Sequence, residues 1–148
     1  MNSGLEILRP ALVATGTKSA GKAIICTVRG DLHDIGKNLV KMMLEGRGIE
    51  VVDLGVDVDP SVVAEAVREH HPDIVCLSAL LTTTMMGQKE VIEALKDAGL
   101  RSKVKIMIGG APVTKGFADE IGADGYAADA ATAAEIALRF LSERSETA

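Results

Sequence analysis

The sequence predicts an α/β fold, a parallel sheet with helices on both faces, and three observations lead there. Strand and helix patterns alternate five times after residue 20, every strand run is short and bounded by turn residues, and the chemistry-bearing residues fall just after strands. Open α/β sheets hold their ligands at those carboxyl ends. Taking the elements in order, Leu5, Leu8 and Leu12 recur at helix-like spacing around Pro10, and a Thr/Gly/Ser/Ala-rich connector follows to Gly21. Residues 1–20 thus read as a short helix and linker, and residues 21–148 as one domain. Ala23 to Val28 is an apolar run of strand length. Ile35, Leu39, Val40, Met43 and Leu44 then recur at helical spacing.

The second strand lies near Glu50 to Leu54. Asp59-Pro60 supplies an N-cap and a proline at the first helical position, for a helix through Val63, Ala66 and Val67 that stops before Pro72. Ile74 to Leu77 is the third strand, and the third helix covers about Gln88 to Ala98, with Gly99 as its left-handed cap. Lys103 to Ile108 reads as the fourth strand, with Val104, Ile106 and Ile108 facing one way. A helix from Lys115 to Ile121 capped by Thr114, a short strand at Gly125 to Ala127 and a helix from Asp129 to Leu141 complete the chain. Right-handed crossovers favour the flavodoxin-like, Rossmann-like strand order 2-1-3-4-5.

Asp31-Leu32-His33-Asp34-Ile35-Gly36 stands where the first strand pattern ends and the first helix pattern begins. Asp31 is near enough in a turn for its carboxylate to reach a ring nitrogen of His33, orient the imidazole and raise its basicity as a ligand. Read alone, the same residues also fit a turn at Asp31, an N-cap at Asp34 and an exposed bystander at His33. Two further features share the rim: Ser78-x-Leu80 about forty residues on, and Gly109-Gly110 about thirty beyond.

In order and spacing these three motifs resemble the signature of base-off, histidine-on cobalamin-binding domains, over about Ala20 to Leu141. The wording of Gly30 to Val40 and of Leu77 to Met85 is similar to the corrinoid methyl-carrier proteins of methyltransferase systems. The resemblance implies a cobalamin or related cobamide whose cobalt takes His33 as lower axial ligand, with Asp31 fixing the tautomer through the other ring nitrogen. It implies a hydroxyl relay at Thr84, for which capping the third helix is the alternative. Ser78 faces the nucleotide tail in that family, and Gly109, Gly110 and Ala111 remove bulk where the tail enters. An ordinary turn before Pro112 is the other reading of the glycines.

Leu32, Leu80 and Thr82 are candidates for the corrin face, and Tyr126 and Asp129 for the border of the tail, Asp129 being equally explained as a helix cap. Asp34, Ile35 and Gly36 complete the cofactor loop. Met85 and Met86 fit either core filler or an adaptable surface. The function implied is carriage of a methyl group on cobalt between a substrate:corrinoid methyltransferase and a second methyltransferase acting on a thiol or pterin acceptor, with a reductive activator as a further partner. The chain is then a carrier rather than a complete enzyme. The alternative is the small cobalamin-binding subunit of an adenosylcobalamin-dependent mutase. Carriers of this kind have a helical cap before the cofactor domain, of which Leu5 to Leu12 corresponds to a remnant at most.

Composition narrows the classes further. The 148 residues are 47% hydrophobic and 25% charged with a net charge of −5, which fits a globular protein and offers no basic surface to nucleic acid. No apolar run spans a bilayer, and the amino terminus lacks secretory features, so a cytoplasmic location without a membrane partner is expected. Cys26 and Cys76 sit inside apolar strand runs and read as reduced core residues rather than ligands of a zinc site. Aromatics at 2% count against a ring-stacked flavin. His70 and His71 precede Pro72 at a helix end and suit the dipole there.

Overall fold

The computed structural model describes residues 21–110 and 112–147. The expected helix and linker over residues 1–20, and Ala111, lie outside them. Five strands, β1 (Gly21–Val28), β2 (Ile49–Val58), β3 (Ile74–Ser78), β4 (Lys105–Gly109) and β5 (Gly125–Ala127), pair in parallel in the order β2-β1-β3-β4-β5. Between them run α1 (Ile35–Gly46), α2 (Pro60–His70), α3 (Met86–Asp97) and α4 (Lys115–Ile121), and α5 (Ala130–Thr147) follows β5. Among the described residues no helix is long and apolar enough to cross a membrane.

The sheet divides the core by its own pleat, because successive strand side chains point to opposite faces. Ile24, Cys26 and Val28 of β1 join Val63 and Val67 of α2, Val91, Ile92 and Leu95 of α3, and Ala118 and Ile121 of α4. Ala23 and Ile25 point the other way, toward Leu44 of α1 and an alanine-rich face of α5 carrying Ala133, Ala134 and Ala137. Both faces of β1, β3 and β4 are therefore covered, as a parallel sheet requires.

Local chemistry sets the helix ends on the α2 side. Asp59 accepts the Ser61 N–H at 3.0 Å with Pro60 at the first helical position, His71 closes α2 in a left-handed conformation, and Thr114 Oγ1 accepts the Phe117 N–H at 3.1 Å. Gly99 has a φ of 74°, the left-handed conformation its position after α3 demands.

Of the five apolar residues at helical spacing in α1, only Leu44 is fully buried, Val40 and Met43 are half-buried, and Ile35 and Leu39 face solvent. Three expected boundaries are corrected. The second strand continues to Val58 because two bulges bend it past its expected end. Arg101–Lys103 forms a 3-10 turn that delays β4 to Lys105, although Val104, Ile106 and Ile108 do share one face. The final helix runs on to Thr147.

Candidate functional site

The loops leaving β1 and β3 meet on the carboxyl rim of the sheet, and their meeting point is the Asp31 carboxylate. After Val28 the chain turns at Gly30, whose φ of 87° suits glycine, and the Asp31 N–H closes the turn on the Val28 carbonyl at 3.1 Å. Asp31 is 0% exposed. Its Oδ1 accepts the His33 backbone N–H at 3.0 Å and lies 2.7 Å from His33 Nδ1. Its Oδ2 accepts the Leu80 N–H at 2.6 Å and the Thr84 hydroxyl at 2.7 Å. Burial alone pushes this carboxyl up; the Leu80 N–H, His33 and the Thr84 hydroxyl outweigh burial and hold it well below the usual carboxylate range.

Beside the buried, ionised Asp31, Nδ1 is the nitrogen of His33 that carries a proton, and whenever the ring binds a metal as neutral imidazole the lone pair is on Nε2. That nitrogen has no hydrogen-bond partner among the described residues, and the side chain is 51% exposed. The Thr27 hydroxyl donates to the His33 carbonyl at 2.9 Å, so the backbone beneath the ring is held as well. Thr84 is not the cap of α3. It stands two residues before that helix, buried, with its hydroxyl donating to Asp31 and accepting from the Leu81 N–H at 3.3 Å.

Around this cluster the same two loops expose Leu32, Leu80 and Leu81 to solvent, and Ile35 opens α1 beside them. Thr82 is exposed on the loop after β3 and Gly36 in the first turn of α1, while Asp34 precedes α1 without any side-chain capping bond. Met85 packs against the core and Met86 faces out, so the two methionines divide between the readings weighed for them. Clefts of about 530, 450 and 890 Å3 lie elsewhere, and none of them is lined by these residues. The site is an open rim.

Ser78 ends β3 in register with Thr27 on one side and Gly109 on the other, half-buried. The glycine pair has a reason within the chain itself. A Cβ on Gly109 would stand 2.9 Å from the Ala127 carbonyl oxygen, and one on Gly110, at a φ of 129°, would stand 1.7 Å from the Ala79 carbonyl oxygen. Both glycines are therefore required where three strand ends close on one another, and neither the turn reading nor the ligand reading had included that. Tyr126 is half-buried against the α2–α4 core, and Asp129 caps α5 by accepting the Thr132 N–H at 2.8 Å. Neither joins the Asp31 cluster.

Three groups escaped the sequence reading. Lys37 is only 3% exposed and donates to both Asp53 oxygens, at 2.9 and 2.7 Å, and to Asn38 Oδ1 at 2.8 Å. An acid inside a strand run and a lysine inside a helical run were the signal for that pair. Gln88 is fully buried and its Nε2 donates to the Leu77 and Gly109 carbonyls, both at 3.0 Å, tying β3 to β4 at the rim. Asp57 reaches back from β2 to the Gly30-Asp31 turn. The cysteines are as expected: burial pushes both thiols up to about 12.

Comparison with known proteins adds to the geometry. A family model described as the B12 binding domain matches residues 21–135. Dimethylamine corrinoid protein 2 of Methanosarcina acetivorans is 48% identical over 142 residues, covering 95% of this chain and 66% of that protein. The monomethylamine corrinoid protein of Methanosarcina barkeri has a structure that superposes with a TM-score of 0.78 at 47% identity, over 81% of this chain and 57% of that one. The methanol:cobalamin methyltransferase complex of Methanosarcina barkeri superposes with a TM-score of 0.79 at 37% identity, over 84% and 48%. The chain spans less than two thirds of the length of these relatives.

Proposed function

The chain belongs to the B12-binding domain family, and from that premise we propose that it carries a methyl group on a corrinoid between two methyltransferases, with His33 as the lower axial ligand. The donor side is a substrate:corrinoid methyltransferase, the acceptor methyltransferase acts on a thiol or pterin, and a reductive activator restores the cofactor. The names of the relatives, dimethylamine and monomethylamine corrinoid proteins, favour a methylated amine as donor. The complex of a methanol-specific methyltransferase supports a partner of the same kind.

One observation carries the reading. Asp31 engages His33 Nδ1 and Thr84 Oγ1, each at 2.7 Å, while the half-exposed His33 ring keeps Nε2 without a partner among the described residues, next to exposed leucines. The donor set fits the group: a neutral imidazole with one fixed N–H is a good ligand for a transition metal, and exposed Leu32, Leu80 and Leu81 suit the flat underside of a macrocycle. When bound, the corrinoid supplies the cobalt that accepts and releases the methyl group. Asp31 holds the Nδ1 proton and so orients the ring. Thr84 both donates and accepts, which makes its hydroxyl the route by which a proton reaches the Asp31–His33 pair as the charge on Nε2 changes. Ser78, Gly109 and Gly110 border the place where the nucleotide tail would enter.

Electron paramagnetic resonance of the protein loaded with Co(II) cobalamin tests the assignment. The wild type is expected to show superhyperfine splitting from one imidazole nitrogen, and His33→Ala to lack it; identical spectra would sink the ligand assignment. Asp31→Asn should weaken ligation by about 10- to 100-fold, the usual effect of losing such a supporting partner. Methylation of the reduced protein by a methylamine-specific methyltransferase supports the carrier, whereas adenosylcobalamin-dependent isomerisation with a larger subunit replaces it with the mutase.

A further inference from the structure

The bulged end of β2 contains a residue whose geometry serves the histidine loop. Pairing between β1 and β2 runs regularly to Ile25 opposite Asp53, then slips: Cys26 faces Gly55 and Val28 faces Val58. Each slip adds one residue to β2, and bulges of this sort re-aim groups beside functional sites. The first is stitched by Asp53 Oδ1 accepting the Gly55 N–H at 2.8 Å. The second delivers Asp57 in a left-handed conformation, φ 53°, which aspartate tolerates better than most residues but which still carries strain.

Asp57 spends that conformation on two bonds. Its backbone N–H donates to the Asp31 carbonyl at 2.9 Å, and its Oδ1 accepts the Gly30 N–H at 2.8 Å. The peptide groups on either side of Asp31's turn are thus held from one residue, and with the Val28 carbonyl they fix the backbone from which the Asp31 carboxylate reaches His33 and Thr84. A left-handed position is most cheaply filled by glycine. A glycine there would keep the N–H bond and lose only the acceptor for Gly30.

We propose that Asp57 is a positioning residue of the axial-ligand loop, acting through its side-chain oxygen on Gly30 to hold Asp31, and through Asp31 the tautomer of His33. The role as ligand-loop positioning rests on the corrinoid reading above; the geometric effect on His33 does not need it.

The test uses the protein without corrinoid, 15N-labelled, as wild type, Asp57→Gly and Asp57→Asn at one near-neutral pH. Nitrogen shifts of the His33 ring report its tautomer, and amide exchange at His33 and Leu80 reports the bonds to Asp31. In Asp57→Gly both amides are expected to exchange about tenfold faster, as for loss of one hydrogen bond's support. The ring should become a mixture of tautomers, while Val75 and Cys76 within β3 keep their wild-type rates. Asp57→Asn, which retains an oxygen acceptor, should match the wild type. An unchanged tautomer in Asp57→Gly overturns the proposal, as does a uniform rise at all four amides, failure of Asp57→Gly to fold, or an Asp57→Asn that behaves like Asp57→Gly. A wild type that takes up no corrinoid overturns the carrier function and leaves this measurement interpretable.

Discussion

Helices α1 and α2 flank the same two strands from opposite faces, yet they are built differently. Helix α2 has a side-chain cap at Asp59, proline at its first position, and Val63, Ala64, Ala66 and Val67 buried. Helix α1 has no capping bond and buries Lys37 and Leu44 alone, while Ile35 (76%), Leu39 (50%) and Met42 (63%) stand exposed. Helix α2 packs one face on the sheet and on α3, so the ordinary rules of amphipathic packing describe it. Helix α1 begins two residues after His33 and must also hold a loop. Departures from local consistency concentrate where a chain serves something besides its own stability.

The largest expected effect tests what replaces an apolar stripe in α1. Breaking a buried ion pair by removing one partner costs about 3–5 kcal/mol. Asp53 keeps some access to water and has Lys41 at 3.7 Å, which places Lys37→Ala at the lower end, about 3 kcal/mol. Val63→Ala in α2 should cost about 2 kcal/mol, from two buried carbons and a partly relaxed cavity. Lys37→Met with Asp53→Leu should come back near the wild type, since a well-packed apolar pair often matches a buried ion pair. Urea denaturation of the four proteins measures this. A Lys37→Ala less costly than Val63→Ala means the ion pair is not what holds α1.

An intermediate effect asks whether the difference between the helices reaches the sheet. Cys26 lies in the cluster under α2 and Cys76 in the cluster under α1 and α5. Burial pushes both thiols from the ordinary 9.0 up to about 12. A thiol raised on folding is kept neutral by the native state, so its contribution is complete below pH 9 and is lost as pH rises from 9 toward 12. By pH 10 the loss is on the order of 1 kcal/mol per thiol. Stabilities at pH 8 and pH 10 should fall by similar amounts in Cys26→Ala and Cys76→Ala, each keeping one thiol, and by less in the double variant. A loss carried by Cys26 alone would show that the α1 face admits water and that the asymmetry extends into the core.

How much was legible in advance follows the same division. The strand order, α2, the Thr114 cap and the buried cysteines came from periodicity and turn chemistry, which act locally and therefore show in sequence. Asp31, His33 and Thr84 were named as a group, and they do meet, because a strand end, a short turn and a motif spacing all pointed to one rim. The exposure of Ile35 and Leu39 was missed because a helical repeat of apolar residues states a face without stating what covers it. Lys37–Asp53 and Asp57 were missed because their partners lie on β2 and on the Gly30 turn, and two bulges shift the register that sequence reading assumes. The glycines at 109 and 110 were seen, but the Ala79 and Ala127 carbonyls that require them belong to other strand ends.

The smallest effect is expected at the exposed stripe itself. Ile35, Leu39 and Met42 recur four and three residues apart, so they lie along one face of α1, and each is at least half exposed. Serine at any of them removes little buried area and changes helix propensity only slightly, so each substitution should shift stability by no more than about 0.5 to 1 kcal/mol, Leu39 the most. Val63→Ser in α2 puts an unsatisfied hydroxyl into a packed core and should cost several times more. Equilibrium unfolding at two protein concentrations a hundredfold apart makes the contrast decisive. If Leu39→Ser or Met42→Ser costs about 2 kcal/mol, and the cost grows with concentration, the stripe is buried against a second copy and the comparison with α2 fails. If the cost is the same at both concentrations, another part of the chain covers it; only the small change expected leaves α1 as the helix whose apolar face is turned away from its own core.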